Sequence, residues 1–275
     1  MNQAIREEIE RFVAEDDGNR HPEAAGSLFD VPLVGFAVAD DPLFATYKKV
    51  IGDFHLTPLE LCRAEEVPWV PRTVISWVLP ISEAVRRSNA AEQVFPSRPW
   101  AVTRTHGEAF NGALRRHLVT YLKTAGFHAL APQFHPSWQE FSDTAVGRAS
   151  SWSERHAAYA AGLGTFSLND ALITPRGIAH RCGSVITDAP VVPSEKIYRT
   201  HTENCLYFRD GSCGACIGRC PVGALSRTGH DKEKCKTYVY ETAPAQVGQT
   251  YGVAQTGCGL CQTRVPCEAG IPGRN

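Results

Sequence analysis

The sequence predicts an α+β protein in two parts: a mixed, largely antiparallel sheet with helices over residues 1–195, and a small cysteine-rich module over residues 196–275. Three observations predict it. Strongly apolar runs at 33–39 and 74–79 read as buried strands. They are separated by helical periodicities that do not alternate regularly enough for a doubly wound sheet. Eight of the ten cysteines lie between Cys205 and Cys267, so the chain changes character after about residue 195.

Taken in order, residues 3–15 carry Ile5, Ile9, Phe12 and Val13 at helical spacing. Residues 16–30 are polar and read as a loop. Thr57 and Glu60 form a capping box with Pro58 in the first turn, which opens a short helix carrying Cys62 as a packed thiol. The stretch 84–100, rich in Arg, Asn, Ser and Pro, reads as a loop. The longest helix is expected to open at a Thr105–Glu108 capping box and to stop at Gly126, with Phe110, Leu114, Leu118 and Leu122 on its apolar stripe. Residues 128–143 read as a loop, with Phe134, Trp138 and Phe141 as candidates for lining a pocket. Ser151 and Glu154 read as the cap of a short helix ending at Gly162. Strands are expected at 168–174 and 183–187, paired as a hairpin around the turn at 175–177.

Charged residues make up 21% of the chain and hydrophobic residues 43%, as in a globular protein. The net charge of −1 writes no bulk attraction to nucleic acid or membrane surface. No apolar run approaches the ~18 residues of a membrane span, and the charged N-terminus lacks the core of a secretory signal.

The cysteines run Cys205, then Cys213-x2-Cys216-x3-Cys220-Pro221, then Cys235, then Cys258-x2-Cys261, then Cys267. Disulfides, zinc and iron–sulfur clusters are the three causes of such a concentration. Disulfide frameworks belong mainly to small secreted domains. Zinc knuckles explain neither Cys220-Pro221 nor the isolated Cys235. Iron–sulfur ligation explains all eight, because Cys213 to Pro221 fits the last three positions of the bacterial C-x2-C-x2-C-x3-C-P run, in which the final cysteine serves the other cluster. Asp210 stands where the first cysteine is expected, so Cys205 reaches in across an insertion. The expectation is two 4Fe–4S clusters with crossed ligation: Cys205, Cys213, Cys216 and Cys267 for one, and Cys220, Cys235, Cys258 and Cys261 for the other. Thiolate ligands and such clusters point to a reducing, cytoplasmic location.

Glu154-Arg155, Ala158, Ala161-Gly162-Leu163-Gly164, Asn169, Leu172-Ile173 and Gly183-Ser184 to Thr187-Asp188, followed by the cysteines, resemble the epoxyqueuosine reductase family, itself related to reductive dehalogenases. The resemblance covers roughly residues 30–267 and is specific from 150 onward. It implies two 4Fe–4S clusters coupled to a base-off cobalamin, a ferredoxin or flavodoxin-like electron donor, and reduction of a substrate by the cobalt. It assigns cofactor contacts to Gly162, Leu163, Gly164, Asn169, His180 and Gly183, the glycines letting backbone approach the corrin.

Three departures qualify what the resemblance implies. The proton-donor Asp of these reductases is Arg148 here, which leaves Tyr159 and His106 as candidate proton donors. Only Asn169 survives of the aromatic-x-Gly-Lys-Asn run. The helical-repeat extension of the tRNA-acting members is not expected, and the neutral charge supplies no tRNA footprint. A small-molecule substrate is therefore expected rather than nucleic acid. The alternatives are an electron-transfer protein without corrinoid, and epoxyqueuosine reduction on tRNA.

Overall fold

The computed structural model describes residues 1–23 and 26–273. Residues 24 and 25 of the expected N-terminal loop, and 274 and 275 of the expected C-terminal module, lie outside the described residues. Helix α1 (Asn2–Glu15) turns Ile5, Ile9 and Val13 inward. Strand β1 (Leu33–Val38) is followed by α2 (Pro42–Ile51), whose cap Asp41 accepts the Leu43 amide. The expected capping box of Thr57 and Glu60 opens α3 (Pro58–Arg63) with both of its hydrogen bonds made. Strand β2 (Thr73–Pro80) is buried at every residue, which is why it reads as a continuous apolar run.

The stretch 84–100 departs from the sequence reading. It contains a helix, α4 (Glu83–Ala90), and the start of α5 (Arg98–Thr124), which begins at Ser97 and not at Thr105. The Ser97 hydroxyl accepts the Trp100 amide, while the Asn89 side chain accepts the amide of Ser97 itself. Helix α4 is polar because its buried residues include Arg86 and Asn89 as well as Val85, so its inward face carries little apolar signal.

Beyond α5 come β3 (Ala129–Leu130), a short hairpin of β4 (Glu140–Phe141) and β5 (Ala149–Ser150), and α6 (Glu154–Ala160). A second hairpin, β6 (Thr165–Phe166) with β7 (Leu172–Ile173), precedes β8 (His180–Thr187). The main sheet has the order β1-β2-β8-β3 and is antiparallel throughout. The expected hairpin of 168–174 with 183–187 is not formed: β7 pairs with β6, and β8 pairs along its whole length with β2. The fold class is the α+β expected, with helices on both faces of an antiparallel sheet. Phe36, Ile75, Trp77 and Val185 face α1 and α5, and Ala37, Val74, Val78 and Ile186 face the side of α2, α3 and α6.

Register explains one glycine. Gly183 lies opposite Trp77, and a side-chain carbon at Gly183 would stand 2.4 Å from the indole. The indole nitrogen donates to Asn111 of α5 at 2.9 Å, and Asn111 donates to the Cys182 carbonyl at 2.9 Å, so one buried amide joins β2, α5 and β8.

From 190 the chain runs extended along β1, with the Ser194 amide donating to the Phe36 carbonyl and the Phe36 amide to the Ser194 hydroxyl. The expected boundary at 195/196 falls in this bonded segment. The remainder comprises α7 (Leu206–Asp210), α8 (Ala215–Arg219), a ribbon of β9 (Leu225–Ser226) and β10 (Gly229–His230), and α9 (Lys232–Thr237). Its apolar contacts with the sheet domain include Cys205 and Val265 against Ala171, Ile173 and Ile178, and the Tyr238 ring stacked on Phe95. No helix among the described residues is long and apolar enough to cross a membrane.

Replacing Gly183 by Ala forces the Trp77 indole off its Asn111 acceptor, and we expect a loss of about 1–3 kcal/mol, the usual cost of overpacking a core. Urea denaturation monitored by tryptophan fluorescence measures it; an unchanged midpoint would refute the role given to this register.

Candidate functional site

All ten cysteines are free thiols. Cys205 caps the start of α7, Cys216 lies on α8 and Cys220 at its end, and Cys235 lies on α9. Cys258 precedes the tight turn at Leu260–Gln262, and Cys261 lies within it. Between α7 and Cys213 the Asp210 carboxylate accepts the Ser212 amide at 2.9 Å, so the residue standing at the expected ligand position orders the turn instead.

The eight thiols sort into two neighbourhoods. Cys216 and Cys267 are both within electrostatic reach of Cys205 and Cys213. Cys258 and Cys261 are both within reach of Cys220 and Cys235, and Cys261 also feels Cys216, so the two groups adjoin. The first group rings a small cavity of about 20 Å³, walled by Leu168, Ile173 and Ile178. Burial first, then repulsion among the neighbouring thiols, pushes Cys216 up to about 11 and Cys267 up to about 12. Burial likewise takes Cys258 up to about 12. Packing thiols this closely opposes their ionisation unless a cationic centre sits among them. No three His, Cys, Asp or Glu side chains among the described residues converge on one point as ligands of a single ion would. Thiols spread around a cavity suit a cluster, in which each cysteine meets a different iron. The Ala224 amide points at Cys220 Sγ at 3.2 Å, the kind of donor that stabilises a ligated sulfur.

Several residues expected to cradle a cofactor have packing reasons instead. Gly162 takes a φ of +75° to end α6, and a side chain on it would meet the Glu195 carbonyl at 2.8 Å. A side chain on Gly164 would stand 2.5 Å from the Ile173 carbonyl. Leu163 packs in the core on the α6 side of the sheet. These glycines let neighbouring backbone approach closely. Asn169 lines the first thiol cavity and donates to the Cys261 carbonyl at 3.0 Å, so it ties the two thiol groups together.

His180 is enclosed, and burial takes its imidazole down to about 4. Its Nε2 lies 2.9 Å from the Leu172 carbonyl and must carry the hydrogen, which leaves Nδ1 as the acceptor 3.6 Å from Cys182 Sγ. Its one ring hydrogen is thus committed to backbone.

The candidate proton donors are not brought together. His106 lies on the exposed face of α5, in no enclosed setting. Tyr159 is half-buried against Phe166, and burial followed by the nearby Asp41 raises its phenol so that it stays protonated. Arg148 pairs with Glu140 across the β4–β5 hairpin. Glu154 makes no capping box with Ser151. It accepts from the Ser184 hydroxyl at 2.5 Å, which in turn accepts from the Trp152 indole at 3.0 Å, and it pairs with Arg115 at 3.2 Å. Burial raises the Glu154 carboxyl despite Arg115 and Ser184. The network continues through Glu108 to Arg181, at 3.1 and 2.6 Å.

Sequence reasoning missed the junction around Asp170 and Arg155. Asp170, at φ 61°, accepts from His230 Nδ1 at 2.9 Å. Asp170 and then Cys235 hold His230 up to about 9. The exposed Arg155 is a charge felt by His156, Asp170, His180 and Cys182. A face thus forms where α6, the start of β8 and the thiol module meet. Partners sixty residues apart leave no spacing signal by which to find it.

Burial also takes His55 down to about 4 and His156 to about 3, and neither nitrogen of His55 has a partner among the described residues. Between pH 6.5 and about 4 the unfolded chain binds more protons at these histidines and His180 than the folded one, so stability falls as pH falls through that window. His230 keeps its full contribution there. We expect urea midpoints to drop from pH 7 to pH 5, and less steeply in His55→Phe; an equal slope in that variant would count against the assignment.

No protein-family model matches the chain. It is similar in sequence to epoxyqueuosine reductases from Bacillus anthracis (33% identity over 128 residues, 45% of this chain and 31% of the relative) and from Staphylococcus aureus (30% over 124 residues, 43% and 30%). The matches thus span about a third of these curated relatives. In fold it is similar to a catabolic reductive dehalogenase solved with 3-bromo-4-hydroxybenzoic acid (TM-score 0.55, 15% identity, 88% of this chain and 30% of that one). An epoxyqueuosine reductase from Streptococcus thermophilus is likewise similar in fold (TM-score 0.50, 16% identity, 100% and 68%). The chain is a relative of the epoxyqueuosine reductases and shares the fold of the reductive dehalogenases.

Proposed function

We propose that this relative of the epoxyqueuosine reductases is an iron–sulfur oxidoreductase, with two 4Fe–4S clusters held in the crossed sets Cys205, Cys213, Cys216, Cys267 and Cys220, Cys235, Cys258, Cys261. The observation that carries the proposal is the separation of eight thiols into two adjoining groups of four, each drawing on distant parts of the sequence. Bound clusters supply one-electron transfer. The chain's own residues exclude water with Leu168, Ile173 and Ile178, aim the Ala224 amide at sulfur, and brace the two groups against each other through Asn169. A ferredoxin or flavodoxin-like electron donor in a reducing, cytoplasmic setting is part of this reading.

A corrinoid as electron acceptor, serving reduction of a small molecule, is the finer part of the proposal. It draws on the sequence kinship and on a solved neighbour of similar fold (TM-score 0.54, 16% identity), a reductive dehalogenase whose structure suggests a mechanism for B12-dependent dehalogenation. At Gly162, Gly164 and Gly183 neighbouring protein atoms occupy the side-chain position, so glycine is required there for packing whether or not a corrinoid is bound. Arg155, His156 and Tyr159 are the polar groups that α6 adds to the junction face.

Epoxyqueuosine reduction on tRNA is the second reading, favoured by the names of the curated relatives. Electron transfer without corrinoid is the third, favoured by Arg148 standing in place of the reductases' Asp and by the missing Gly-Lys pair before Asn169.

Cobalamin titration of anaerobically reconstituted protein, with electron paramagnetic resonance of cob(II)alamin and iron and sulfide assays on the same sample, tests the proposal. A saturable base-off cobalt signal is expected. Full iron with a free-solution cobalt signal would remove the corrinoid and leave electron transfer. Turnover of an epoxyqueuosine-containing stem-loop would establish the tRNA reading.

Cys216→Ser and Cys258→Ser are each expected to lose about half the iron and to retain one cluster's signal. A variant retaining all its iron would overturn the assignment of that cysteine.

A further inference from the structure

We infer that Arg219 sets the reduction potential of one cluster and not the other, as the fixed positive charge beside the Cys220, Cys235, Cys258, Cys261 group. The inference rests on the two-cluster reading above.

Arg219 ends α8, directly before Cys220. Among the described residues its guanidinium bonds to backbone carbonyls. Nε donates to Leu260 at 3.2 Å and to Thr263 at 3.1 Å, Nη1 to Glu92 at 2.7 Å, and Nη2 to Asn89 at 3.4 Å. Arg115 and Arg181, which also bridge elements, pair instead with the Glu108 carboxylate. The carbonyls fix the direction of the planar Arg219 fork without cancelling its charge.

The charges around Arg219 identify what it faces. Arg264 opposes it, while Cys258 and Cys261 act on it favourably and Glu268 more weakly. Two of its carbonyl partners, Leu260 and Thr263, lie on the turn that carries Cys258 and Cys261. Asn89 completes the frame from the other side, donating to the Cys258 carbonyl and to the Thr263 hydroxyl, both at 3.2 Å, and it is fully buried. Arg219 and Asn89 together clamp the Cys258–Cys261 turn to the end of α4. Cys205, Cys213 and Cys267 have no part in this frame; Cys216, the fourth thiol of that group, shares α8 with Arg219 but is not among the thiols acting on it, which are Cys258 and Cys261.

A cluster that gains an electron becomes more negative, and its reduced form is stabilised by a nearby fixed cation in a partly desolvated setting. Arg219 therefore raises the potential of the second cluster relative to an otherwise identical site. It acts through the field at the thiolates and is a positioning and tuning residue. The cluster beside Arg219 thus holds an electron more readily than it would without that charge.

The test is redox titration of the reconstituted protein followed by electron paramagnetic resonance, with iron and sulfide assayed on each sample. In Arg219→Gln, one of the two midpoints should move to a more negative potential while the other and the iron content stay at wild-type values. In Arg219→Lys, which keeps the charge but cannot span four carbonyls, both midpoints should stay near wild type while the thermal midpoint of unfolding drops. The inference is overturned if Arg219→Gln moves neither midpoint or moves both equally, or if Arg219→Lys shifts the potential as far as Arg219→Gln. Should Arg219→Gln shed iron, Arg219→Lys decides alone: a held potential supports the charge, and a displaced one overturns it. Failure of the wild-type protein to take up two clusters would refute the cluster reading and is distinguishable from all of these.

Discussion

The antiparallel pairing of β2 with β8 joins segments a hundred residues apart and places Gly183 under the Trp77 indole, Cys182 opposite Val78, and Ser184 opposite Ser76. From that register the polar interior follows. Trp77 needs an acceptor for its buried N–H and finds Asn111, and Asn111 uses its own donor on the Cys182 carbonyl. On the opposite face Ser184 stands between Trp152 and Glu154, so α6 is oriented by a hydrogen-bonded chain as well as by its alanine-rich apolar side. Shifting β8 by one residue would exchange these faces and leave several buried donors without acceptors.

The thiol module depends on this body in a different way. Polar ties to backbone help to order it: Asn169 to Cys261, Asn89 to Cys258, Arg219 to four carbonyls, and Asn204 to Ile173. Segments without a large core are commonly stapled by disulfides or metal centres, and here thiols with elevated pKa values stand where such staples would be. Their repulsion, relieved by a cationic centre, couples occupancy of the site to its stability.

The candidate site shows how a motif and its reason separate. The Ala161-Gly162-Leu163-Gly164 run has the composition of a ligand-approach loop, yet both glycines admit neighbouring backbone. His180, whose residue type points to proton transfer, has its hydrogen held by Leu172. The groups of the junction face that do respond to one another, Arg155, Asp170 and His230, come from three separate stretches, and only Arg155 belongs to a motif legible in the sequence. Chemistry at such a junction arises from convergence, which spacing cannot encode.

The sequence by itself determined the elements whose pattern is local: α1, the α3 capping box, the buried strands β1 and β2, and the short cysteine spacings Cys213-x2-Cys216-x3-Cys220 and Cys258-x2-Cys261. Each depends on residues a few positions apart, and each has a short-range physical cause. The tertiary structure alone decided which strands pair, that the polar stretch at 84–100 is helical, and where Glu154 directs its carboxyl. It also decided that Arg219 ends among carbonyls beside one thiol group. Polar helices such as α4 bury Asn89 and Arg86 to serve partners on other elements, so their inward face carries no apolar periodicity. A buried polar group is specified by the partner that satisfies it, and that partner is chosen by the fold.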